Sequence, residues 1–131
     1  ANGAEVAEQC PVIITMLPNS PHVRQVVLGE GGIVETAKPG TEVIDMSSID
    51  PVESKAIGAE LAKKGVEMLD APVSGGAPKA SDATLSVLAR GKKANFDQDK
   101  ALLATWPPQW SMWASWAAAT WPSWPIRWWW R

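Results

Sequence analysis

Three short polar stretches hold the residues best suited to chemistry. Ser74-Gly75-Gly76 offers a hydroxyl beside backbone N–H groups that no side chain obstructs, an arrangement that suits a carboxylate or a phosphate. Leu17-Pro18-Asn19-Ser20 and Ser47-Ser48-Ile49-Asp50 are short polar loops with hydroxyls of their own. Each stretch reads equally as a turn whose side chains satisfy nearby backbone groups, and for Ser47 and Ser48 that is the default. His22 is the only histidine, which excludes a two-histidine metal site or a relay of histidines. Cys10 is the only cysteine, so no internal disulfide forms, as suits a reducing compartment. Lys63-Lys64 and Lys92-Lys93 read as solvated surface.

These stretches follow the segments that must position them. Val12-Ile13-Ile14-Thr15-Met16 is an apolar, β-branched run ended by Pro18, as expected of a strand buried on both faces. Pro21 suits a first helical turn, and Val23, Val26 and Val27 carry helical spacing up to Gly29. Glu42–Met46, Val66–Asp70 and Thr84–Leu88 are further strand candidates. Between two of them, Asp50 predicts an N-cap, Pro51 the first helical residue and Glu53 the return arm of a capping box. That helix is expected to reach about Lys64 and stop at Gly65, and another to cover Phe96 to Ala104. Strands alternating with helices predict a parallel sheet with right-handed crossovers, and ligands then bind beyond the carboxyl ends of the strands.

Composition bounds the rest. The 131 residues make about one domain, with 12 Lys+Arg against 14 Asp+Glu and a net charge of −2, so overall charge marks no nucleic-acid footprint. At 46% hydrophobic residues, the chain can build a core. No apolar run is long enough for a membrane-spanning helix, and Ala1-Asn2-Gly3-Ala4-Glu5 has no signal-peptide pattern, so the start reads as a point partway through something longer. One break stands out. All nine Trp lie between Trp106 and Trp130, all ten Gly lie at or before Gly91, and the last acidic residue is Asp99. Two different texts meet near residue 100.

The first text resembles the β-hydroxyacid dehydrogenases. The resemblance rests on Val12-Ile13-Ile14-Thr15-Met16-Leu17-Pro18, on Ile44-Asp45-Met46-Ser47-Ser48-Ile49-Asp50-Pro51, and above all on Asp70-Ala71-Pro72-Val73-Ser74-Gly75-Gly76. It covers roughly residues 5–104, with three motifs in order. It implies an α/β fold, an incomplete doubly wound (Rossmann-like) parallel sheet without its N-terminal strands and without the family's C-terminal helical domain. It also implies hydride transfer between NAD or NADP and a small β-hydroxyacid or semialdehyde. Met46 tilts the reading toward the branch that reduces tartronate semialdehyde to glycerate, with the 3-hydroxyisobutyrate branch, or a non-catalytic interaction module, as the alternatives. Leu17, Pro18 and Ser48 match family cofactor contacts, and Ser74, Gly75 and Gly76 match the loop that holds the substrate carboxylate. Two family features have no counterpart: no Gly-x-Gly-x-x-Gly occurs, and no Lys-Leu-Ala-Asn-Gln helix carries a catalytic lysine. Ala77, Ser81 and Ala83 also depart from the usual residues. A cytoplasmic, homo-oligomeric parent enzyme is the implied setting, with a small carboxylate as partner and neither nucleic acid nor membrane.

The division is therefore residues 1–104, a partial dinucleotide-binding domain, and 105–131, a Trp-rich tail expected to be out of frame and unstructured. The codon for Trp is TGG, and read one base early after another G it becomes GTG, for Val. Shifted in this way, Pro107, Pro122 and Pro125 become Ala, Trp113, Trp129 and Trp130 become Val, and Ala114 and Ala117 become Gly. Ser123, Trp124, Ile126 and Arg127 are then permitted to be Lys, Leu, Asn and Gln. The shifted text reads Val-Gly-x-Leu-Gly-x-x-Asn-x-Ala-Lys-Leu-Ala-Asn-Gln-Val-Val-Val, with the family lysine at position Ser123. Trp, Arg and Pro also suit a membrane-interface segment or a base-stacking platform, but Arg127 and Arg131 are the tail's only charges and four prolines break a helix. Resequencing the coding DNA is expected to show one base gained or lost between the codons of Phe96 and Trp106. An intact frame across that interval with no homologous shifted reading rejects the frameshift.

Overall fold

The computed structural model describes residues 2–103, 105 and 109–114. Six helices and six strands follow one another: α1 (Gly3–Gln9), β1 (Val12–Thr15), α2 (Ser20–Leu28), α3 (Ile33–Thr36), β2 (Glu42–Asp45), α4 (Pro51–Ala62), β3 (Glu67–Asp70), β4 (Val73–Ser74), α5 (Gly76–Ser81), β5 (Ser86–Arg90), α6 (Lys93–Leu103) and β6 (Gln109–Ala114). Local chemistry accounts for the helix ends. The Asn2 side chain accepts from Glu5 N at 2.9 Å and starts α1, a helix that no sequence pattern announced. Asp50 Oδ1 accepts from Val52 N at 2.7 Å and Pro51 opens α4, as expected. The capping box is only half made, because Glu53 pairs with Arg24 of α2 at 3.1 Å instead of turning back to its own N-cap. The Asp50 N–H donates to Ser20 Oγ at 3.1 Å in its place. Gly65, with φ of +74°, ends the turn after α4 in the conformation that glycine adopts most cheaply.

β1, β2 and β3 form a parallel ladder with Ile13 opposite Val43 and Val43 opposite Met68. The strand expected at Thr84–Leu88 forms as β5, but it runs antiparallel, which corrects the wholly parallel expectation. Asp70 pairs with Arg90, Val73 with Val87 and Ser74 with Ser86 in one continuous register. β3 and β4 are thus one bent strand, interrupted where Pro72 has no N–H to give. The cause of the reversal lies in the connection. A parallel return needs a crossover of a dozen or more residues with a helix that buries a face. Residues 75–85 are too few, and α5 buries no residue. The β5–α6–β6 unit does make a parallel return, with Ser86 opposite Gln109 and Ala89 opposite Met112. β6 falls in the segment expected to be unstructured from residue 105 onward. Its backbone groups extend the β5 ladder, which backbone groups of any sequence can do. Residues 115–131, including Ser123 and the shifted lysine motif, lie outside the described residues, as does Ala104 at the end of the expected helix.

Successive strand residues point to opposite faces. Both faces are covered at β2 and β3, but Ile14 of β1 is exposed, which corrects the expectation of a first strand buried on both faces. Ile13, Val43 and Met68 pack with Val23 and Val27 of α2, Ile33 of α3 and Ile57 and Leu61 of α4. Ile44, Met46, Leu69, Ala71, Val87 and Ala89 pack on the other face, with Phe96 of α6 partly buried against them. Cys10 is exposed. One pair on the second face is not apolar. Glu42 opens β2 and is 4% exposed, and Asp99 of α6 is 3% exposed. Asp99 lies near enough to Glu42 to favour a proton on the pair. Burial first, and the Asp99 contact second, push Glu42 up to about 7, and burial raises Asp99 as well.

Both groups bind their proton more tightly in the folded chain than in the unfolded one. The stability they contribute is therefore complete below about pH 4 and is lost as pH rises through about 7. Asp99→Asn removes one of the two carboxyls. Its melting temperature is expected to exceed that of the parent chain at pH 8, by roughly 4 °C for each kcal/mol regained, and its decline between pH 5 and pH 8 to be smaller, the part due to Asp70 and to the burial of Glu42 remaining. Thermal melts across that range check it, and a decline of unchanged size in the variant refutes the coupling of the two carboxyls.

Candidate functional site

The carboxyl ends of the strands carry a buried polar rung. Thr15 ends β1, Asp45 ends β2, Asp70 ends β3 and Arg90 ends β5, and the pairing sets each beside the next. Thr15 Oγ1 donates to Asp45 Oδ1 at 2.9 Å. Arg90 pairs with Asp70 Oδ2 at 2.9 Å, the aspartate almost fully buried and the arginine side chain 28% exposed. Burial pushes the Asp70 carboxyl up to about 6, while the Arg90 guanidinium pulls against that rise and Asp45 adds to it. The rung pairs some of its buried polar atoms and leaves others, Asp45 Oδ2, Asp70 Oδ1 and Arg90 Nε, without a hydrogen-bond partner.

Above the rung two loops meet. Asp45 Oδ1 also accepts from Ser47 N at 3.1 Å, an Asx-turn that bends the chain as it leaves β2. Ser47 is buried, and its hydroxyl accepts from Leu17 N at 2.8 Å. A second link, Asp50 N to Ser20 Oγ, joins the far ends of the same loops. The β1–α2 loop and the β2–α4 loop are thus tied at two points. Ser48 and Pro18 stand exposed, and Leu17 is half-buried. The structure brings Leu17, Pro18 and Ser48 into one loop pair. It gives Ser47 to the backbone, as its default reading expected.

Ser74, Gly75 and Gly76 sit elsewhere along the same end of the sheet, where β4 gives way to α5, and all three are exposed. Gly75 has φ of +139° and Gly76 φ of +65°, and a Cβ on Gly75 would lie 2.6 Å from Lys79 Cδ. Glycine is required at Gly75 on both counts. Met46, which tilted the reading between substrates, is buried in the second-face core. The rung itself went unnoticed in the sequence, although three strand candidates carry a polar residue at this position: Thr15, Asp45 and Asp70. Among the described residues no group of three or more His, Cys, Asp or Glu is placed to hold a metal ion. No helix among them is long and apolar enough to cross a membrane.

Residues 1–113 match the family described as the NAD binding domain of 6-phosphogluconate dehydrogenase. The chain is 43% identical over 100 residues to a probable mitochondrial 3-hydroxyisobutyrate dehydrogenase of Dictyostelium discoideum, covering 76% of this chain and 31% of that protein. It is 39% identical over 98 residues to the 2-hydroxy-3-oxopropionate reductase of Escherichia coli strain K12, covering 75% and 34%. Among solved structures, a 3-hydroxyisobutyrate dehydrogenase from Salmonella typhimurium superposes with a TM-score of 0.76 at 32% identity, over 87% of this chain and 39% of that one. The Mycobacterium tuberculosis 3-hydroxyisobutyrate dehydrogenase with L-serine superposes with a TM-score of 0.77 at 28% identity, over 86% and 38%. The chain spans about a third of the length of the curated relatives it matches.

The rung makes a test of its own. Removing one partner of a buried ion pair costs about 3–5 kcal/mol, so Arg90→Gln is expected to destabilise the chain by that order at pH 8. Asp70 binds its proton more tightly when folded, so its protonated form stabilises fully below about pH 4 and progressively less as pH rises through about 6. The deficit of Arg90→Gln is therefore expected to shrink by more than half at pH 5. Urea unfolding at the two pH values checks it, and an equal deficit at both removes Asp70 as the cause.

Proposed function

The chain belongs to the family of the NAD binding domain of 6-phosphogluconate dehydrogenase, and from that membership we propose that it is the nicotinamide-side part of an NAD(P)-dependent oxidoreductase. Its substrate is a small β-hydroxyacid or the matching semialdehyde, with reduction of tartronate semialdehyde to glycerate as the first reading. The observation that carries the proposal is the tied pair of loops at the carboxyl ends of β1 and β2, Leu17 N on Ser47 Oγ with Ser48 exposed alongside. Ligands of open α/β sheets bind at this end.

The donor set fits the nicotinamide-ribose half of the cofactor. Ser48 offers a hydroxyl to the ribose, and Leu17 and Pro18 offer an apolar edge to the ring. When bound, the reduced nicotinamide supplies a hydride. Ser74, with the N–H groups of Gly75 and Gly76, holds the substrate carboxylate and so fixes which carbon faces the ring. The pyrophosphate half has no such counterpart, since the 131 residues contain no Gly-x-Gly-x-x-Gly. The general acid is the family lysine, whose place falls at Ser123 outside the described residues. A 3-hydroxyisobutyrate substrate is the second reading, favoured by the 43% identity to the Dictyostelium relative. A homo-oligomeric, cytoplasmic parent enzyme completes the proposal.

The experiment compares two proteins. The 131-residue chain alone is expected to give no NADH or NADPH oxidation with tartronate semialdehyde. The same segment, preceded by a Gly-x-Gly-x-x-Gly unit and carried on through the shifted frame, is expected to turn over. In that longer protein, Ser48→Ala is expected to raise the KM for the cofactor about tenfold, the loss of one good hydrogen bond. Absence of turnover in the longer protein with both tartronate semialdehyde and 3-hydroxyisobutyrate overturns the assignment.

A further inference from the structure

We propose that Asp45 is a positioning residue that holds the β1–α2 and β2–α4 loops in register with each other. Asp45 is 0% exposed, yet it lies at the last residue of β2, where the chain is about to turn into an exposed loop. Its main chain is fixed by the sheet, with Ala71 N donating to Asp45 O at 2.7 Å and Met46 N donating to Thr15 O at 2.8 Å. A single side-chain oxygen, Oδ1, then takes both Thr15 Oγ1 and Ser47 N, at 2.9 and 3.1 Å. The first contact fixes the carboxyl against β1. The second fixes the turn that places Ser47, and the Ser47 hydroxyl takes the Leu17 amide at 2.8 Å. One buried oxygen therefore sets the direction of both loops as they leave the sheet.

Without Asp45, Ser47 N loses its partner and the Asx-turn loses its closing bond. The Ser47 hydroxyl is then no longer held where Leu17 N points. The link from Asp50 N to Ser20 Oγ remains, but it ties the far ends of the loops, and the near ends at Leu17 and Ser48 come free. Which oxygen acts also predicts which substitution is tolerated. Asparagine keeps a side-chain oxygen for the same two donors. Its amide nitrogen takes the place of Asp45 Oδ2, which has no hydrogen-bond partner. Alanine keeps neither.

That the loops hold a nicotinamide ribose rests on the proposed function, whereas the clamp is tested without any cofactor. Amide hydrogen exchange is measured on the 131-residue chain, with Val43 and Leu69 as core references for global opening. Asp45→Ala is expected to speed exchange at Leu17 and Ser47 at least tenfold beyond any change at the references, and Asp45→Asn to keep both within about threefold of the parent. Ser47→Ala gives a second route if Asp45→Ala fails to fold. It is expected to free Leu17 while the amide of residue 47 stays protected by Asp45. Exchange at Leu17 that follows the references in Asp45→Ala, or that stays protected in Ser47→Ala, overturns the clamp. Failure of the Ser48→Ala kinetics with the exchange pattern intact would instead reject the cofactor assignment alone.

Discussion

Central strands buried on both faces leave polar chemistry only their two ends. Val43 and Ile44 are neighbours in the chain and lie in different cores, one under α2 and α4 and the other with Phe96 of α6 against it. An uncompensated polar group between those layers is expensive. The polar groups found there gather at the strand ends. At the amino end of β2, Glu42 lies near Asp99, and burial together with that neighbour favours a proton on the pair. At the carboxyl ends, Thr15, Asp45, Asp70 and Arg90 join in one rung. The two solutions differ in consequence. The first closes on itself and serves only to seat α6, whereas the second has hydrogen-bonding capacity left over on Asp45 and spends it on a loop.

What the sequence disclosed and what it withheld follow the same division. β1, β2, β3, α2 and α4 were legible because each is long enough to show β-branched runs or a capping pattern within a few residues, as Asp50-Pro51 does for α4. α1, α3 and α5 were not, since short helices owe more to tertiary contacts than to propensity. Ala4 N donates to Gly31 O at 2.9 Å, a contact between segments that no local window contains. The direction of β5 was missed for a related reason. Strand candidates give position, whereas direction depends on whether the linking segment can cross over, and only the unburied surface of α5 reveals that it cannot.

The candidate site was legible by resemblance at Leu17, Pro18, Ser48 and the Ser74 loop, and illegible at the residues beneath them. Asp45 and Asp70 stand inside the very motifs that carry the resemblance, yet their chemistry depends on their being neighbours across the sheet. Asp45 and Asp70 lie 25 residues apart in the chain, so a linear reading sees two isolated aspartates. Ser47 shows the converse. Its local reading, a hydroxyl serving the backbone, is right in kind, but the amide it serves belongs to Leu17 on a different strand.

That spacing has a kinetic side. The side-chain hydrogen bonds that join one strand-helix unit to the next span 25 to 32 residues along the chain: 30 from Thr15 to Asp45, from Leu17 to Ser47 and from Ser20 to Asp50, 29 from Arg24 to Glu53, 32 from Ala4 to Thr36, 25 from Glu67 to Lys92 and 28 from Glu67 to Asn95. Closing a loop of that size carries an entropic cost of about 3 kcal/mol, apart from a constant. No single long closure dominates, so the search for the native arrangement divides into similar steps. Each newly docked unit presents the next with a strand edge already in place. Closures of this intermediate range place the chain among mixed α/β folds, between helical bundles and all-β barrels in expected folding rate.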